Sequence, residues 1–154
     1  MTRLVGYLLG RCNLLGRDLG VLYMRLNPDC IRDILMSLEQ TTDGIINFSW
    51  NWEDFQAHQE FPRMQNYTVD EISYHVQQCY HHGFFIGARM YITGFIIMDI
   101  SPSAHEFLAN IRSEDNWGKV KPVIEKVGST SLPVITAVAG NVIGAAIRQA
   151  MGLP

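Results

Sequence analysis

The chain has 154 residues, 47% hydrophobic and 18% charged, enough for one domain with a buried core and an appendage. A net charge of −3 excludes the broad basic surface that would hold nucleic acid nonspecifically. Three cysteines (Cys12, Cys30 and Cys79) are odd in number and lack metal-ligand spacing, which fits a reducing cytoplasm better than a disulfide framework.

Residues 1–23 hold four glycines (Gly6, Gly10, Gly16 and Gly20) and no clear period, and read as an N-terminal extension. Arg11, Asn13, Arg17 and Asp18 interrupt the apolar run that a secretory signal needs. Met24-Arg25-Leu26-Asn27-Pro28 has the look of a natural beginning, so translation is expected to start at Met24. Asn27 caps and Pro28 opens a helix to about Gln40, with Ile31, Ile34, Leu35 and Leu38 on one face and Asp29 suiting its dipole. Thr42-Asp43-Gly44 breaks it, and Ile45 to Trp50 reads as a short strand. Trp52 to Glu60 is acidic and reads equally as a short helix or a loop, which Pro62 ends.

The stretch from Thr68 to Leu108 has the densest local signals. Thr68-Val69-Asp70-Glu71 fits a capping box, and Tyr67 with Ile72 fits a hydrophobic staple. Val69, Ile72, Val76 and Cys79 recur at helical spacing, while Tyr74, Gln77, Gln78 and His81 occupy the opposite side. Gly83 sits where a left-handed C-terminal cap is wanted. Phe84 to Ile92 and Phe95 to Ile100 read as a hairpin turning at Thr93-Gly94. Ser101-Pro102 then restarts a helix whose apolar face is Ala104, Phe107, Leu108 and Ile111.

Ser113 caps a further helix with Trp117, Val120, Ile124 and Val127 on one face, which Pro122 is expected to kink or delay. Gly128-Ser129-Thr130-Ser131 is a break. Leu132 to Met151 then carries an apolar stripe with a Gly140/Gly144 pair and no charge before Arg148. It falls short of the roughly 20 apolar residues of a membrane span, so packing on the domain or on a second subunit is expected.

Three stretches carry a resemblance: Leu26-Asn27-Pro28-Asp29-Cys30-Ile31-Arg32-Asp33-Ile34-Leu35, Ile72 to Phe85, and Ile100 to Arg112 with His105-Glu106-Phe107-Leu108. Together with Trp117 and Lys119-Val120-Lys121, they resemble a bacterial and bacteriophage family known only as a domain of unknown function. The His105 stretch is similar to the end of many winged-helix regulators, with Ile100-Ser101 for Leu-Thr and Ala104 for a glycine. The resemblance runs from about Met24 to the C-terminus. It implies a winged-helix fold and a prophage or mobile-element setting, and brings no catalytic residues.

The expected fold is α+β and mostly helical: a winged-helix-like core of helix, short strand, helix, hairpin wing and helix at 24–112, with extra C-terminal helices at 113–154. His75, Cys79 and His82 share one side of a helix at metal-ligand spacing, but an apolar stripe makes a buried structural role the expectation for Cys79. No nucleophile, base and orienter assemble, so no enzyme activity, cofactor or small-molecule substrate is expected. The expected function is duplex DNA binding by Tyr74, Gln77, Gln78 and His81, with Arg89 and Arg63 meeting phosphates. Basic residues gather again at Arg112, Lys119, Lys121 and Lys126. Against DNA stands the charge from Met24 onward, nine basic against fourteen acidic residues, a net of −5. The alternative is a protein-interaction module using exposed Trp50 and Trp52 and the apolar segment Leu132 to Met151, through which the chain would meet a partner or a second copy.

Overall fold

The computed structural model describes residues 24–42, 48–51, 61–128 and 131–154. Its architecture is α+β and mostly helical: α1 (Pro28–Thr41), β1 (Phe48–Asn51), a 3-10 turn (Met64–Asn66), α2 (Val69–His81), four short strands, and α3 (Pro102–Ile111), α4 (Glu114–Val127) and α5 (Leu132–Ala150). The four strands are β2 (Phe85–Ile86), β3 (Arg89–Tyr91), β4 (Gly94–Ile97) and β5 (Asp99–Ile100). The expectations for residues 1–23, for Asp43 to Asn47 and for Trp52 to Glu60 lie outside the described residues.

Local chemistry sets the helix starts. The Asn27 side chain accepts from the Asp29 amide at 3.0 Å, with Pro28 opening α1. Ser101 and Ser113 cap α3 and α4 in the same manner, each replacing an amide partner that the helix cannot supply. Pro122 lies inside α4 and does not delay its start, one of the two effects expected of it. Gly128, at φ 70°, closes that helix.

Helix α1 is buried nearly all round, and its polar residues are held by other elements rather than by water. Arg32 reaches across the core to donate to the carbonyls of Ile111 (2.8 Å) and Arg112 (2.7 Å), the open end of α3. Its guanidinium also lies 5.5 Å from the ring centre of Trp117 and meets Glu114 at 2.7 Å. Since the Glu114 side chain is 81% exposed, the ion pair contributes little, and the two carbonyls are the main reason for a buried cation here. Asp29 accepts from the Trp117 indole (2.9 Å) and from Lys121 (2.7 Å). Asp33 accepts from the Tyr67 hydroxyl (2.8 Å), Glu39 pairs with Arg112 and His105, and Thr42 bonds Asp99 (3.0 Å).

The strands make one hairpin rather than two separate ribbons. Phe85 faces Ile100 and Arg89 faces Ile96 in a single register, interrupted where Gly87 lies against Met98. The expected continuous strand from Phe84 to Ile92 is therefore split, because Gly87 takes a left-handed conformation (φ 60°). The turn is Ile92-Thr93, since Tyr91 pairs with Gly94, and not the expected Thr93-Gly94. Gly94 has another duty. β1 pairs antiparallel with β4, and a Cβ on Gly94 would stand 1.8 Å from the Trp50 carbonyl oxygen.

Trp50, expected as an exposed partner-binding aromatic, is only 2% exposed. Alternation along β1 turns Phe48 and Trp50 inward, where Trp50 lies parallel to Phe95 with ring centres 6.1 Å apart. Helix α5 sits on α3 and α4 through Leu132, Ile135 and Ala139. Val138, Val142, Ile143 and Ala146, the rest of the expected stripe, are half-buried. Among the described residues α5 is the one helix long and apolar enough to cross a membrane, and 17% of that stretch is buried.

Gly94→Ala is expected to lower stability by at least about 2 kcal/mol in denaturant unfolding, because β1 and β4 must part. Gly118→Ala, at an open position on α4, should instead raise stability by up to about 1 kcal/mol. Arg32→Met should cost about 2–3 kcal/mol through the two carbonyls it strands. A variant as stable as the parent would show that Arg32 does not hold the junction of α3 and α4.

Candidate nucleic-acid interface

Helix α2 carries four of the five DNA-facing candidates, and both its ends are fixed. Thr68 accepts from the Glu71 amide (3.2 Å) while the Glu71 carboxylate accepts from the Thr68 amide (2.8 Å), the reciprocal capping box. At the other end Gly83 turns left-handed (φ 81°), with its amide bonding Tyr80 and the Phe84 amide bonding Cys79. Those two bonds complete a Schellman cap.

Ile72, His75, Val76 and Cys79 face the core. His75 is held from both sides: Nδ1–H donates to the Glu71 carbonyl (2.6 Å), and Nε2 accepts from the Asn27 amide (2.7 Å). That bond joins the start of α1 to α2 across 48 residues of sequence. Both ring nitrogens are thereby engaged, and burial pushes the His75 pKa below its ordinary value. Burial raises the Cys79 thiol, so this sulfur is kept protonated and unreactive. His82 packs edge-on to Phe84 with ring centres 4.6 Å apart and is likewise shifted down by burial.

On the outer side Gln77 and His81 are exposed, whereas Tyr74 and Gln78 are half-buried. Tyr74, Gln78 and His81 line a cleft of about 740 Å³ together with His82. Its other walls are Met24, Arg25 and Leu26, and Ser131, Leu132 and Pro133 at the start of α5. Gln77 is not part of that lining, and Arg89 lies on the edge strand β3. The five candidates thus divide among a cleft, an open helix face and a hairpin. Arg25 and the residues at 131–133 escaped sequence reading because no local pattern joins segments so far apart.

The cations are divided too. Arg63 pairs with Asp33 (3.6 Å), Arg112 with Glu39, and Lys121 with Asp29, so these three are occupied within the protein. Arg25, Arg89, Lys119, Lys126 and Arg148 have no ion-pair partner among the described residues. The expected late basic patch is thereby reduced to Lys119 and Lys126, both exposed on α4.

A family model described as "Hypothetical protein (DUF2513)" matches residues 25–131. The chain belongs to this family. No curated protein and no solved structure matched the chain. The match takes in all four strands of the hairpin and helices α1 to α4, with the cleft residues from Arg25 to Ser131.

Because His75 and His82 have depressed pKa values, the unfolded chain takes up protons before the folded chain as pH falls. Their contribution is full above the ordinary 6.5 and is lost as pH drops through the lower folded values. In His75→Gln an amide can keep both contacts without titrating. The melting temperature is expected to fall less in His75→Gln than in the parent between about pH 7 and about pH 5. Equal falls would mean that His75 does not link α1 to α2 through its neutral ring.

Proposed function

We propose that residues 24–112 form a winged helix and that the outer side of α2 reads duplex DNA in a non-enzymatic, regulator-like protein. One observation carries this reading: the side chains of Gln77, Gln78 and His81 make no hydrogen bond among the described residues. A glutamine amide with both groups free can pair adenine in two-point fashion. The order of helix, strand, helix, hairpin and helix supports the fold, as does β1 lying beside the returning strand β4. Arg89 supplies a cation on the hairpin for a phosphate.

A second reading, an adaptor that binds protein, is favoured by the surface. Ile86, Tyr91, Ile92 and Met98 are exposed on the hairpin, Ile92 completely, and Ile147, Met151 and Leu153 are exposed at the end of α5. Apolar side chains of that kind suit a protein partner or a second copy, and the internal pairing of three cations weakens the grip on phosphate.

Fluorescence anisotropy of the full chain with pooled duplex DNA across a salt series separates the two. Binding that falls steeply with salt is expected, weakened about tenfold or more in the double variant Gln77→Ala/Gln78→Ala with its melting temperature kept. No binding at low salt, or equal binding by the variant, would turn the assignment to the adaptor.

A further inference from the structure

The cleft between α2 and the start of α5 combines a cation that has no ion-pair partner among the described residues with apolar walls. In a chain with more acids than bases, none of its ten lining residues is Asp or Glu. Arg25 contributes an exposed guanidinium without an ion-pair partner among the described residues. His81 and His82 line the same cleft, and Gln78, Tyr74 and Ser131 add polar groups able to donate hydrogen bonds. Apart from the polar Ser131, the other walls are apolar: Met24, Pro133, the ring of Tyr74 and the edges of the buried Leu26 and Leu132. Its volume lies within the usual range for small-molecule sites, about 300–1,000 Å³.

We infer that this cleft binds a small anion, a carboxylate or phosphate carried on an apolar or aromatic body, with Arg25 holding the charge. The guanidinium fork suits a planar carboxylate or a phosphate edge in two-point fashion. The Tyr74 ring and Leu26 would cover the apolar body, and Gln78 would fix its orientation. Neither half of such a ligand suffices. A single exposed arginine holds a bare anion weakly against water, and an apolar body alone leaves the guanidinium unused. The cleft shares Gln78 and His81 with the surface proposed for duplex DNA, but the charge is held by Arg25, which, like Leu26 and the start of α5, lies outside that surface.

A nitrogen-15 chemical-shift titration of the full chain tests it with phenyl phosphate, inorganic phosphate and benzyl alcohol. Phenyl phosphate is expected to shift the amide signals of residues 25–26, 74–82 and 131–132 saturably at millimolar concentration. Inorganic phosphate and benzyl alcohol should each bind more weakly than the combined molecule. Arg25→Gln should weaken phenyl phosphate by about tenfold, the effect of one charge-assisted hydrogen bond. Arg148→Gln removes the same charge some 24 Å along α5 from the cleft and should change nothing. Shifts confined to other residues, equal binding by Arg25→Gln, or benzyl alcohol binding as tightly as phenyl phosphate would each overturn the assignment. A melting curve for Arg25→Gln like that of the parent shows that any loss belongs to the site and not to the fold. Duplex DNA is absent throughout, and Arg25→Gln leaves Gln77, Gln78 and His81 in place, so failure here is distinguishable from failure of the α2 face in the DNA titration.

Discussion

A buried arginine joins the helical layers of this protein. Arg32 projects from α1 into the place where α3 ends and α4 begins, and it satisfies two carbonyls that no helix could satisfy for itself. The Trp117 face beside it accepts the positive charge and screens it from water. Burying a guanidinium is costly unless its donors are used, and here both protein backbone and a carboxylate use them. The same helix sends Asp29 to α4, Asp33 to the turn before α2, Glu39 to α3 and Thr42 to β5. α1 is thus an apolar core helix with polar fasteners at intervals along its length.

That arrangement determines which surfaces remain for function. Carboxylates on α1 occupy Arg63, Arg112 and Lys121, so charges that look available in the sequence are fasteners in the fold. α2, by contrast, meets α1 through its apolar side and through His75, leaving Gln77 open to solvent and Gln78 half-buried at the cleft. The hairpin leaves the sheet with a fully exposed isoleucine at its turn and Arg89 on its edge strand. Free polar side chains on one element and exposed apolar ones on another are the basis of the two readings, nucleic acid and protein.

Short-range chemistry fixed much of this from sequence. The caps at Asn27, Thr68, Ser101 and Ser113 and the left-handed Gly83 were legible because each depends on residues within a few positions of one another. The apolar faces of α1, α2 and α3 followed from period alone, and Ile31, Ile34, Leu35, Val76, Phe107 and Leu108 are all buried as that period requires. The turn position was misread by one residue because Gly94 looks like a turn glycine. Its small size serves the approach of a strand that begins more than forty residues earlier. Trp50 was misread for a related reason: alternation names two faces of a strand, and only the sheet's neighbours say which is inside.

By itself, then, the sequence determined the helices, their ends, a hairpin and an α+β class, since all of these are decided by contacts within a turn or a pair of strands. Only the tertiary structure decided that Arg32 is a fastener and not a surface charge. It also placed His75 between α1 and α2, and drew Arg25, Gln78 and Leu132 into one cleft. These groups are separated by tens of residues, and their meeting depends on how packed helices cross. A cation's role depends on what lies opposite it, and no local spacing of residues encodes that.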